Sequence, residues 1–226
     1  MSPDLFQPAF DAVGSGVWLT ILITVASFVL GQIVALPLAL ALISPRRWLW
    51  FPASVYTFLL RGSPLLVQLF IVYYGLAQIE AVRDSFLWPV LRNALYCAIL
   101  TIGLNSAAYS AEIIAGGIRA LPKGQWEAGH ALGLHRASLL ARVILPQAYR
   151  SILPTIGNEF ILVLKSSTLA SVVTVMEMTG AARVFVARSY APFETFFIAG
   201  IIYLLMGAAI GWLFKRIERR VAIPGR

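Results

Sequence analysis

A single cysteine, Cys97, rules out a disulfide within the chain and any thiolate zinc cluster, and leaves small apolar packing as its role. No GxxxxGK[ST] phosphate loop occurs anywhere in the 226 residues, so ATP is not bound by that device. HExxH is absent, and both histidines, His130 and His135, lie in one polar segment away from the apolar runs, which leaves a membrane-embedded enzyme without its parts. No catalytic residue and no metal ligand is assigned. Charge is scarce as well: 12% of residues are charged against 59% hydrophobic, with a positive mean hydropathy. Such a composition describes an all-α polytopic membrane protein, one transmembrane domain over residues 1–226 with no separate catalytic domain. A net charge of +8 would suggest nucleic acid in a soluble protein. Here the basic residues gather in short loops and at the C-terminus, which suits a membrane face.

The stretch before Val17 holds Asp4 and Asp11 but no Lys or Arg, unlike the basic start of a cleaved signal peptide, so the first helix is expected to be retained. Residues 12–45 carry no charge. The apolar runs predict five spans, at roughly 17–42, 54–77, 93–115, 155–175 and 195–214, with Gly31 and Pro37 as bending points in the first. An odd number puts the termini on opposite sides. One set of alternate loops carries Arg46 and Arg47, five basic residues from Arg119 to Arg150, and five from Lys215 to Arg226. The other set has only Arg83, Arg92, Arg183 and Arg188, with Asp4, Asp11, Glu80, Asp84, Glu177 and Glu194 beside them. By the positive-inside rule the N-terminus is outside and the C-terminus cytoplasmic.

The polar interruption Gln125 to Pro146, QWEAGHALGLHRASLLARVILP, lies within a cytoplasmic loop over 117–152. Glu127, Arg136, Arg142 and both histidines keep it out of the lipid. Gly133 breaks a helical pattern, and Leu139 with Val143, then Leu140 with Ile144, recur four apart, which predicts a second short helix with one apolar edge. Two short helices meeting at a glycine form a knob. The order Glu127-Ala128-Gly129, three residues, Gly133, nine residues, Val143, then Leu145-Pro146 resembles the coupling loop of permease subunits of binding-protein-dependent ATP-binding-cassette importers. In that family the loop usually begins Glu-Ala-Ala and has Ile before the Leu-Pro, so Gly129 and Val143 depart from it conservatively. The resemblance implies that the loop docks on an ATPase subunit and passes its closure to the membrane helices.

Three spans carry polar residues. In the second, Arg61 precedes Gly62-Ser63-Pro64, where Pro64 removes a backbone donor and disfavours helix at Ser63. The break either lines a water-filled path or kinks a packed helix. In the third, Asn105, Tyr109 and Glu112 share one helical face among small residues, a pattern for helix packing. In the fourth, TIGNEFILVLKSSTLASVV, Asn158 stacks over Lys165 and Glu159 over Ser166, with Ser167 following. Glu159 and Lys165 point about 120° apart on a helix, so each needs a partner elsewhere. An ion in a span is a functional candidate. A zwitterionic amino acid would serve both, while a buried pair with another helix for Lys165 and snorkelling for Glu159 are the structural alternatives.

These runs resemble polar amino-acid permeases. Arg61-Gly62-Ser63-Pro64 stands where that family has Arg-Gly-Thr-Pro, and Asn158 to Leu169 resembles permeases for histidine, lysine, arginine, ornithine and the opines. The resemblance implies a type I importer permease fold; the polar residues of the spans make Asn158, Glu159, Lys165, Ser166 and Ser167, with Arg61 and Ser63 at the break, the candidates for the pathway. It implies ATP and Mg held by a partner ATPase rather than by this chain, a second and non-identical permease subunit, an extracytoplasmic solute-binding protein, and the bacterial inner membrane. The outer loop from Gly180 to Phe196, with Arg183, Arg188, Tyr190 and Glu194, is either ordinary solvated loop or the handle for that binding protein. An ion-coupled secondary carrier is the competing reading, although five spans divide badly into repeated halves.

Overall fold

The computed structural model describes residues 3–221, and every regular element among them is helical. Helix α1 (Pro3–Ser15) leads into α2 (Val17–Leu42), and together they form the first apolar crossing. The second is broken: α3 (Arg47–Gly62) and α4 (Leu65–Phe70), the latter prolonged by a π turn and a 3-10 turn to Gln78, meet at 103°. The extended conformations of Ser63 and Pro64 make the corner, as Pro64 requires of its neighbour. Two single-turn helices, α5 (Glu80–Arg83) and α6 (Trp88–Leu91), lead to α7 (Ala94–Arg119), which Asn93 caps by accepting from the Leu95 and Tyr96 amides.

Beyond α7 come α8 (Lys123–Ala131) and α9 (Arg136–Leu139), then a π turn over Leu140–Ile144 and α10 (Leu145–Ser166), which a 3-10 turn extends to Val173. A helix outside the spans, α11 (Met178–Ser189), and the long α12 (Pro192–Val221) complete the chain. Among the described residues four continuous helices are long and apolar enough to cross a membrane, and the bent pair, taken as one span, makes a fifth.

The assembly is built around the contact of α2 with α7. Along α2, Ser27, Gly31, Ala35 and Ala39 are buried at four-residue intervals, and α7 answers with Gly103, Ser106, Ala107, Ser110 and Ala111. Lipid supplies no hydrophobic drive between spans, so close backbone approach and interhelical hydrogen bonds hold them together. A Cβ on Gly103 would lie 2.9 Å from Leu30 and 3.0 Å from the Ser27 carbonyl. Ser27 donates to the Ile99 carbonyl at 3.2 Å, and Gln32 to the Ser110 hydroxyl at 2.8 Å. Cys97 is buried in this bundle, as its apolar role requires.

Several boundaries differ from the sequence reading. The second span begins at Arg47, the third runs to Arg119, and the fifth occupies Pro192–Val221. The fourth does not start at residue 155, because Pro146 sits in the first turn of α10, where its missing amide disturbs least and the preceding turn widens to a π turn. The segment expected as outer loop is largely α11, whose first turn Glu177 caps by accepting from the Gly180 amide at 2.9 Å. Glu177, counted with the solvated charges of one face, is instead wholly buried and also accepts from Tyr203 at 2.7 Å. Arg226, used in the orientation argument, lies outside the described residues.

The α2–α7 contact makes a direct prediction. Gly103→Val should cost about 1–3 kcal/mol through overpacking, read as a lower thermal midpoint of the purified protein. Gly14→Ala, with nothing within 4 Å of its added Cβ, is the control. Equal midpoints for the two variants would refute close packing as the organising contact.

Candidate translocation cleft and coupling knob

A cleft of about 430 Å³ opens between α4, α7 and α10. That size falls within the roughly 300–1,000 Å³ typical of small-molecule sites. Its polar lining is Asn105, Ser106, Tyr109, Glu159, Lys165, Ser166 and Thr168; Leu65, Ile102, Leu162, Val163 and Leu169 make apolar wall. Glu159 is 5% exposed and accepts a hydrogen bond from Ser106 Oγ at 2.8 Å. Lys165 is exposed at the same cleft and is not paired with Glu159, since the single ion pair among the described residues joins Arg61 to Glu112. The two opposite charges of α10 therefore face one space without neutralising each other. With the hydroxyls and the Asn105 amide they form a binding surface, and no group of metal-ligating side chains occurs among the described residues.

Four residues expected on the pathway do not line this cleft. Asn158 is exposed outside the cleft lining, and Ser167 is buried, donating to the Leu164 carbonyl at 2.7 Å. Arg61 and Ser63 belong to the helix break. Arg61 meets Glu112 at 3.3 Å and lies over the Tyr109 ring at 5.4 Å, and Thr57 donates to Glu112 at 3.1 Å. Ser63 donates to the Leu59 carbonyl at 2.7 Å.

The open backbone at the corner is satisfied from two sides. Asn105 Nδ2 donates to the Leu60 carbonyl at 2.8 Å, and Gln68 Nε2 reaches Leu60 at 2.8 Å and the Ser63 carbonyl at 3.1 Å. Irregular backbone in a membrane is tolerated when protein supplies these partners. The break thus packs against α7, and the residues of α7 that hold it also line the cleft.

Asn105, Ser106, Tyr109 and Thr168 are the polar cleft residues missing from the sequence assignment. The shared face of Asn105 and Tyr109 was visible but reads as packing, and here the same side chains also line the cleft. Ser106 gave no signal of its own; only the partner of Glu159 identifies it.

The knob is a bent pair of helices. Gly133 takes φ +71°, a left-handed conformation that ends α8, and the Leu134 amide donates back to the Gly129 carbonyl at 3.1 Å. Gly129 is buried, and a Cβ there would stand 2.3 Å from Leu139, so α8 lies directly on the start of the second arm. Leu139 and Ile144, five apart, are both fully buried, where four-residue pairs were expected. The π turn accounts for the difference, because each of its turns takes in an extra residue. Glu127 and Ala128 remain exposed on α8, Leu145 is half-buried, and Pro146 is exposed. Arg119 donates to the Leu42 carbonyl at 2.8 Å, fastening the exit of α7 to the end of α2 beside the knob.

Five apolar crossings, a polar cleft between them and a helical projection at one face define a membrane permease. Residues 27–223 match the family described as binding-protein-dependent transport system inner membrane component, and the chain belongs to that family. It is 47% identical over 216 residues to the octopine transport system permease protein OccM of Rhizobium meliloti, covering 96% of this chain and 88% of that one. It is 39% identical over 217 residues to the arginine ABC transporter permease protein ArtM of Haemophilus influenzae, covering 96% and 95%. The crystal structure of an amino acid ABC transporter with histidines superposes with a TM-score of 0.81 at 35% identity, covering 95% of each chain. The protein is a transport component rather than an enzyme, and the ion-coupled carrier reading finds no support among these relatives.

The left-handed Gly133 carries a prediction. Gly133→Ala should destabilise the knob by about 1–2 kcal/mol, measured as faster amide exchange over residues 123–145 with exchange in α7 unchanged. Unaltered exchange in the knob would show that the bend does not depend on glycine.

Proposed function

We propose that this chain is the membrane-spanning subunit of an ATP-driven importer for basic amino acids or opines. The observation that carries the solute class is Glu159: a buried carboxylate with one hydroxyl donor, facing a cleft where a cationic group would complete its neutralisation. Lys165 and Ser166, two turns along the same wall, are placed for the carboxylate end of an amino acid. Arg61 and Ser63 act through the break they stabilise, while Ser167 secures the end of α10 through the Leu164 carbonyl. The names of OccM and ArtM, an octopine and an arginine permease, favour the same class.

ATP and Mg²⁺ bind to separate ATPase subunits, on which the knob docks through Glu127, Ala128, Gly129, Gly133, Leu145 and Pro146. Closure of those subunits moves the knob, and α10 carries the movement to the cleft, which alternates its access between the two sides. A second, non-identical permease subunit and an extracytoplasmic solute-binding protein complete the system in the bacterial inner membrane. The N-terminus lies outside and the C-terminus in the cytoplasm.

In proteoliposomes of the assembled transporter, Glu159→Gln should lower ATP-driven arginine or octopine uptake by about tenfold to a hundredfold, the loss expected of one charged hydrogen-bonded partner. ATP hydrolysis and subunit assembly should persist. Unchanged affinity and rate for cationic solutes would refute the assignment. Uptake that survives ATP depletion but is abolished by an uncoupler would refute the ATP-driven mechanism itself.

A further inference from the structure

A second cavity, of about 480 Å³, opens where α2 turns into α3. Leu40, Ala41 and Leu49 form one wall, and Trp126 and Leu140 of the knob form the other. Arg46 and Arg136 line it, and no carboxylate does. Neither arginine has an ion-pair partner among the described residues, where Arg61 with Glu112 is the one pair. Arg47 adds positive charge next to Arg46.

The cavity also lies at a recognisable depth. Trp48, Trp50 and Phe51, which follow Arg46 and Arg47 on α3, are 68%, 43% and 62% exposed. Large exposed aromatics at the end of a span mark the headgroup level of a bilayer. The site therefore joins unpaired guanidinium groups to an apolar wall that runs back along α2 to Pro37 and along α3 to Leu49.

A soluble anion would use the arginines and leave the wall idle; an uncharged lipid would do the reverse. The geometry points to an anionic phospholipid, its phosphate held by Arg46 and Arg136 and its acyl chain lying on Leu40, Leu49 and Pro37. Guanidinium binds phosphate through paired, charge-assisted hydrogen bonds, and basic pockets between spans suit such headgroups. Because Arg46 stands at the start of α3 and Arg136 at the start of α9, the headgroup would tie the knob to the end of the first span.

The test uses the assembled transporter, purified with its partner subunits, in nanodiscs of phosphatidylcholine with and without phosphatidylglycerol. Lipid retained by the complex is measured by native mass spectrometry. Phosphatidylglycerol should be retained in preference to phosphatidylcholine, and the pair Arg46→Gln with Arg136→Gln should weaken that retention about thirtyfold, the scale for removing two basic residues from an anionic lipid surface. The pair Arg46→Lys with Arg136→Lys, which keeps the charge but not the paired hydrogen bonds, should retain more than the glutamine pair and less than the wild type.

Equal retention of the two lipids, or equal retention of phosphatidylglycerol by the wild type and the glutamine pair, overturns the proposal. Displacement by millimolar inorganic phosphate overturns it in favour of a soluble-anion site. Retention is read without ATP, binding protein or solute, so its failure would leave the transport reading standing, and a failure of transport would leave this result intact.

Discussion

Helix α7 is the part on which the remainder depends, because its three faces each meet a different requirement of a protein in lipid. One face, made of glycine, alanine and serine, lets α2 approach until Gly103 meets Leu30 and the Ser27 carbonyl. A second presents Asn105, Tyr109 and Glu112 to the broken span, where the amide of Asn105 satisfies a carbonyl that Pro64 leaves without a helical partner. A third offers Ser106 to Glu159 across the cleft. Without water to satisfy polar groups in the hydrocarbon region, each of these contacts has to be supplied by protein.

The cleft and the knob are consequences of how the chain leaves this helix. Arg119 anchors the exit of α7 to the end of α2, Gly133 reverses direction, and the chain returns as one helical rod from Arg136 to Val173. Glu159, Lys165 and Ser166 stand in the second half of that rod, and the docking surface proposed for the ATPase lies beside its first turns. A continuous helix between them is a short mechanical path.

Much of this was legible in the sequence, and the exceptions have physical causes. Apolar runs and the scarcity of charge marked all five crossings, Gly133 marked the reversal, and Pro64 marked the break. Glu159 stood out because an ion in a span is costly enough to need a reason. What the sequence hid was mainly partnership. Nothing local distinguishes Ser106 from the other small residues of α7, and the spacing of Asn105 with Tyr109 reads as packing alone. Arg61 and Ser63 were drawn to the pathway by their polarity, whereas they hold the corner beside it. Glu177 looked like a solvated loop charge because its burial depends on Thr20 and Tyr203, both far away in sequence. The start of α10 was misplaced because the helix runs on through Pro154, a residue type that ordinarily ends or kinks a helix from its interior.

The central claim is that the knob and the cleft wall move as one rigid piece. Inserting two glycines between Arg150 and Ser151, in the stretch of α10 that joins them, and following solute uptake and ATP hydrolysis in the same proteoliposomes tests it most directly. The account predicts that hydrolysis continues while uptake is lost. Uptake at the wild-type rate through the softened helix would contradict it.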